Sequence, residues 1–192
     1  MIKVNEMTAS NDRTRYMRNR TTKNTASKTA NQQVASSITN SNTDFTLHYF
    51  DSEEGEEAIV STTLGMGRAS ATIYKTKDFS LENPVYKVIM WDEAGNETER
   101  MVDLSKVNIK DCDTLDMLAY TTYLSETGSD QNAVGKMTLA NSLQYQSEEE
   151  VYKHVLDKQN WLDIIGNAMQ IQGDVGNWYG YLEFKKLIDI LS

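Results

Sequence analysis

Side chains with chemistry to offer are few in this chain: one cysteine and two histidines in 192 residues, set among many carboxylates. His154 follows Glu150 by four residues and precedes Asp157 by three, so on a helix the three share a face. A carboxylate–imidazole–carboxylate face can bind a divalent metal. With no second imidazole nearby and Lys153 and Lys158 alongside, the pattern reads instead as a solvated charged face. His48, in a β-rich stretch, reads as a half-buried surface residue. Cys112 could pair with His154 as thiolate and base, because such dyads assemble in space rather than in sequence. Its neighbours Asp111 and Asp113 should raise the thiol pKa, the opposite of what a nucleophile needs. A lone cysteine also excludes an internal disulfide and any multi-cysteine zinc or iron–sulfur site within one chain. No Gly-x-Ser-x-Gly elbow is present.

The densest cluster of acids is WDEAGNETERM, residues 91–101. A calcium loop starting at Asp92 would need an acid or amide, a glycine and a bidentate glutamate where Ala94, Glu97 and Asp103 stand. A phosphate loop would need Gly-Lys-Ser/Thr, and Gly95 is followed by Asn96-Glu97. A turn fits better. Asp92 suits the first position of a type I turn and Gly95 a left-handed fourth position, which together make a bulged hairpin. That register sets Trp91 opposite Glu97, Ile89 opposite Glu99 and Tyr86 opposite Val102. Tyr86, Val88 and Met90 then share a face with Val102 and Leu104, and Lys87 lies diagonal to Glu99 on the other. Arg100, opposite Val88, is the residue that fits poorly. The Asp-x-Ala-Gly-Asn turn resembles those of many bacterial immunoglobulin-like repeats, a resemblance that implies only a hairpin.

Gly173, Gly176 and Gly180 surround NWYGY but form no G-x-G-x-x-G and follow no strand, so a dinucleotide site is not expected. The composition predicts a loop between helices whose Trp178, Tyr179 and Tyr181 close over the core. The competing reading makes these three aromatics a binding patch for a protein or sugar. Residues 1–43 are about half Ser, Thr, Asn and Gln, too polar to offset their ordering entropy, and are expected to be disordered. Seven basic residues there face two acidic ones, a net +5, which leaves −14 on the remainder of a chain whose total is −9. Arg13, Arg15, Arg18 and Arg20 are the candidates for contacting an anion such as nucleic acid, although the acidic body should repel it.

The elements that would position these residues begin at FTLHYF (45–50), which puts the boundary between a 1–44 arm and a 45–192 domain. EEAIVSTTL (56–64), ASATIYKT (69–76) and VYKVIMW (85–91) are strand-like, with GMG (65–67) as a turn and Pro84 limiting where the third strand starts. Helical periodicity follows. Asp111 or Asp113 caps DTLDMLAYTTYLSET, and QNAVGKMTLANSLQYQ is a weaker helix. SEEE (147–150) is a capping-box match, with Ser147 reaching a backbone N–H while Glu150 reaches back, and it opens a helix with Val151, Val155 and Leu156 on one side; WLDIIGNAM and YLEFKKLIDIL continue the helical group. Strands over 45–104 and helices over 111–191 predict an α+β fold: an antiparallel meander of four or five strands followed by three to five helices.

No apolar run approaches the roughly 20 residues that cross a bilayer, and MIKVNEMTASNDRTRY has no apolar stretch after Lys3. The expectation is a cytoplasmic chain with no membrane partner, although export by a signal-less route leaves the same pattern. No cofactor, metal or catalytic constellation emerges. The function expected is therefore that of a non-enzymatic interaction or accessory protein whose partner is another protein. The alternatives are a nucleic-acid-associated factor using the arm and a signal-less exported or surface-assembly protein.

Overall fold

The computed structural model describes residues 55–65 and 67–192. The arm with Arg13, Arg15, Arg18 and Arg20, and the stretch 45–50 with His48, lie outside the described residues. Among the described residues four strands form an antiparallel sheet in the order β1-β2-β3-β4: β1 (Glu57–Leu64), β2 (Ala69–Lys75), β3 (Val85–Trp91) and β4 (Glu97–Asp103). A 3₁₀ turn at Leu104–Lys106 leads into α1 (Thr114–Glu126), α2 (Ala133–Gln144), α3 (Glu148–Lys153), α4 (Trp161–Asp174) and α5 (Trp178–Leu191). Strands first and helices after, this is the α+β class that the order of patterns predicts.

Short-range chemistry sets the sheet. Arg68 N–H donates to Gly65 O at 3.2 Å across the β1–β2 turn, where Gly65 and Gly67 both have positive φ. At the β3–β4 turn Gly95 has φ 82° and donates its N–H to Asp92 O at 2.9 Å. Asp92 Oδ1 also accepts from Ala94 N–H at 2.9 Å and Asn96 N–H at 2.7 Å, and Asn96 Nδ2 donates to Asp92 Oδ2 at 2.7 Å. The resulting register pairs Trp91 with Glu97, Ile89 with Glu99, Val88 with Arg100 and Tyr86 with Val102.

One face of the sheet, Ala69, Ala71, Ile73, Tyr86, Val88, Met90 and Val102, joins the main core with the helices. The other face is buried too, at Tyr74, Ile89 and Trp91. Lys87 belongs to that face, and its ammonium pairs with Glu56 at 2.5 Å and lies 5.3 Å from the centre of the Tyr74 ring, rather than meeting Glu99.

Arg100 is explained by what it reaches. It stands on the core face of the edge strand, and its guanidinium forks onto Asp113, with one arm at 2.7 Å, and reaches Asp116 at 3.1 Å. Asp113 is meanwhile the N-cap of α1, accepting from the Leu115 and Asp116 N–H groups. One residue on β4 thus ties the sheet to the start of the helical group. At the other end of α1, Glu126 sits where the helix dipole disfavours an anion. Lys75 pairs with it and Tyr86 OH donates to it at 2.6 Å. Burial of Tyr86, with that bond reinforcing it, raises the phenol pKa well above its ordinary 10.0.

The helices pack behind α1. Trp161, fully buried at the head of α4, donates its indole N–H to Cys112 O at 3.1 Å, and its backbone N–H caps onto Ile109 O at 2.9 Å. Two sequence expectations need correcting here. The helix opened by SEEE stops at Lys153, so Val155 still reaches the core but Leu156 is exposed. Its capping box is also offset: Ser147 Oγ accepts from Glu150 N–H at 3.3 Å, while Glu150 reaches the Gln146 N–H, one residue earlier than the motif implies.

Candidate protein-binding surface

The aromatic residues singled out from the sequence are not in a loop. Trp178, Tyr179 and Tyr181 form the first turn of α5, and the link from α4 is only Val175, Gly176 and Asn177. Asn177 makes this tight reversal. Its Oδ1 accepts from Gly180 N–H at 3.1 Å, its Nδ2 donates to Gln172 Oε1 at 2.5 Å, and its backbone N–H donates to Gln172 O at 2.8 Å. A side chain at Gly180 would bring its Cβ within 2.7 Å of both Asn177 Nδ2 and Gln172 Oε1. A side chain at that position would displace the Asn177–Gln172 pair, so glycine suits the reversal although it weakens a helix elsewhere. At Gly173 an added Cβ would press to 3.3 Å on the ring of Tyr181, so the absence of a side chain there seats that ring on α4.

At roughly 100° per residue, Phe184, Leu187 and Leu191 of α5 fall on one side and are buried in the core. Trp178 and Leu182 fall on the opposite side. Trp178 is 66% exposed, Tyr179 76% and Leu182 60%, and Val175 in the link is 72% exposed. Ile171, one turn back on α4, is also exposed. Tyr181 is half-buried, and its ring meets Trp178 edge-on with centroids 5.9 Å apart. The reading in which all three aromatics close the core is therefore corrected: Tyr181 is half-buried against α4 beside Gly173, while Trp178 and Tyr179 face outward. Leu182, Val175 and Ile171 were not singled out from the sequence. A helical wheel would have found Leu182, because Phe184, Leu187 and Leu191 already define the buried side.

The other candidates are placed as follows. His154 lies just past the end of α3, with its ring stacked on Tyr145 at 5.3 Å between centroids and Nδ1 2.6 Å from Asp157 Oδ2, a geometry that calls for the proton on Nδ1. Glu150 is committed to a backbone N–H, so the three residues do not form a ligand face. Cys112 is buried at the junction of sheet and helices, and its backbone is bridged to Gln159. Burial, reinforced by Asp116, Asp113 and Asp111, pushes its thiol up to about 12. Asp92 is held below its ordinary pKa of 3.8, first by the side-chain hydrogen bond from Asn96 and then by backbone N–H groups. Each of its carboxylate oxygens is already occupied by its own turn. Among the described residues no group of three or more His, Cys, Asp or Glu side chains is placed to hold a metal ion.

Behind the exposed face lies an ion triad that no local motif signals. Lys136 on α2, 4% exposed, pairs with Asp130 of the α1–α2 loop at 2.7 Å and with Glu183 of α5 at 2.6 Å. Burial alone would lower the pKa of this ammonium. The hydrogen bonds to Asp130 and Glu183 outweigh that and hold it above the ordinary 10.5. The triad fixes α5 against α2, and with it the orientation of the outward-facing residues.

Among the described residues no helix is long and apolar enough to cross a membrane. Comparison with protein-family models, with curated proteins and with solved structures returns no match.

Proposed function

We propose that this chain is a non-enzymatic interaction module that docks another protein on the tip of the α4–α5 hairpin. The observation that carries the reading is the exposure of Trp178, Tyr179, Leu182 and Val175 together on one rigid reversal. Isolated apolar residues are ordinary on a surface, but a contiguous group of large ones is a mark of an interface. Trp and Tyr supply much contact area for few rotamers, which is why they dominate binding hot spots. Leu182 and Val175 add aliphatic surface, which suits a protein partner better than a sugar. Pre-organisation strengthens the case: the Asn177–Gln172 bonds, the Gly173–Tyr181 seat and the Lys136 triad fix the helix ends before any partner arrives, so little ordering entropy is lost on binding.

The test is a photocrosslinking residue in place of Tyr179, in the full chain and inside cells. A single dominant crosslinked protein, lost when Leu182→Asp is added, is the expected result. A crosslink that is unchanged by Leu182→Asp, or none above the level given by a crosslinker at exposed Lys110, would overturn the reading. If the crosslinked species is a second copy of this chain, sedimentation should show a dimer that Leu182→Asp dissociates.

A further inference from the structure

A cavity of about 190 Å³ opens beside the β1–β2 turn, at the same end of the sheet as the β3–β4 turn, its wall including Thr63 and Leu64 of β1, Thr114 of α1, Met137 and Asn141 of α2, and Val151 of α3. Two of its wall residues carry buried polar atoms with no hydrogen-bond partner among the described residues: Thr114 Oγ1 and Asn141 Oδ1. Thr114 is 0% exposed and Asn141 4%. A buried polar atom left unpaired destabilises a fold, so two of them on one cavity wall call for an explanation. Elsewhere on α1 the chain satisfies such groups: Thr121 and Thr122 donate their hydroxyls to Met117 O and Leu118 O.

We infer that this cavity is a binding site for a small uncharged amide, its N–H held by Asn141 Oδ1, its carbonyl by the Thr114 hydroxyl, and its apolar body against Leu64, Met137 and Val151. Charge is excluded by the wall, which carries no ionisable side chain among the described residues. The start of α1 offers no anion site, because its N–H groups are taken: Leu115 and Asp116 by the Asp113 side chain and Thr114 by Val155 O. An amide is selected because Asn141 Oδ1 can only accept, whereas a threonine hydroxyl can donate. Size follows from comparison: an apolar cavity of about 150 Å³ takes up benzene, so one of about 190 Å³ suits a guest of about six to eight non-hydrogen atoms. The site is separate from the α4–α5 surface and does not depend on the function proposed for it.

Isobutyramide and 3-methyl-2-butanone have the same shape and carbonyl, and only the amide has N–H donors. Each would be titrated into the full chain with chemical shifts read at the Met137 and Val151 methyls. The amide should saturate these shifts and bind about tenfold or more tightly than the ketone, as expected for one added hydrogen bond. Thr114→Val and Asn141→Leu keep the wall nearly isosteric. Both should fold with an undiminished melting temperature and bring amide binding down to the level of the ketone. Equal binding of amide and ketone, unchanged amide binding in both variants, or shifts that never saturate would each overturn the site and leave a cavity that holds water only.

Discussion

Arg100 shows how a residue that looks misplaced in its strand can be the one that connects layers. In the hairpin register it opposes Val88 on the core face, where a guanidinium has no local reason to be. Its partners, Asp113 and Asp116, lie on another element, so no reading of the strand alone could supply them. Lys136 follows the same logic more severely, because its charge is almost wholly enclosed. Removing one member of a buried pair leaves the other uncompensated, at a cost of about 3–5 kcal/mol. Lys136→Met should therefore destabilise the chain by about that much at neutral pH, by urea midpoint, and Lys136→Met with Asp130→Asn should recover most of it. The pKa of Lys136 is raised on folding, so its contribution is fully present below pH 10.5 and is lost as pH rises through the folded value. The stability difference between wild type and Lys136→Met should accordingly be flat from pH 7 to 10 and shrink above that. A difference that narrows already on the acidic side of pH 10 would show that the lysine is not held charged by its partners.

At the scale of elements, α5 is the test case, since one helix carries both a core face and the proposed docking face. Phe184→Ala empties a buried site and should cost about 3–5 kcal/mol. Trp178→Ala removes an exposed ring whose only ring contact among the described residues is edge-on with Tyr181, so its cost should not exceed about 1.5 kcal/mol. Parallel urea titrations of the two variants check this, and a Trp178→Ala loss equal to that of Phe184→Ala would place the indole in the core. Some elements were legible because their determinants are local. Asp92 and Gly95 dictate the hairpin and thereby the β3–β4 register, and Asp113 dictates where α1 begins. The start of α5 was hidden by glycines, which ordinarily signal a break. Here Gly173 and Gly180 make room for the Tyr181 ring and for the Asn177–Gln172 pair, contacts that exist only once the two helices are packed. The cavity beside Thr114 and Asn141 was illegible for the same reason, since its walls come from β1, α1, α2 and α3.

For the molecule as a whole, the question is whether sheet and helices open together. Among the described residues the Arg100 fork, the Tyr86–Glu126 bond and the Lys75–Glu126 pair cross that boundary, while the Cys112–Gln159 bridge and the Trp161 indole bond tie the segment before α1 to the head of α4. Cys112 precedes the Asp113 cap that Arg100 holds and is sealed inside the core shared by sheet and helices, which makes it a reporter of that core's opening. Its thiol must both reach solvent and lose a proton to react, and burial works against each step. With a stability of at least about 5 kcal/mol the open population is no more than about one in several thousand. Alkylation at pH 8 should then run at least about a thousandfold slower than in the unfolded chain. If the two layers open as one unit, the logarithm of that rate should rise with urea at the slope of global unfolding. A rate indifferent to low urea would mean that the segment around Cys112 opens locally while the rest stays folded. The same thiol gives an alkaline signature: its pKa rises from 9.0 to about 12 on folding, so its contribution is present below pH 9.0 and lost as pH climbs towards 12. Cys112→Ala should therefore flatten part of the stability loss in that window, measured as the difference from wild type, and an unchanged profile would show that the thiol ionises as readily in the folded chain as in the unfolded one.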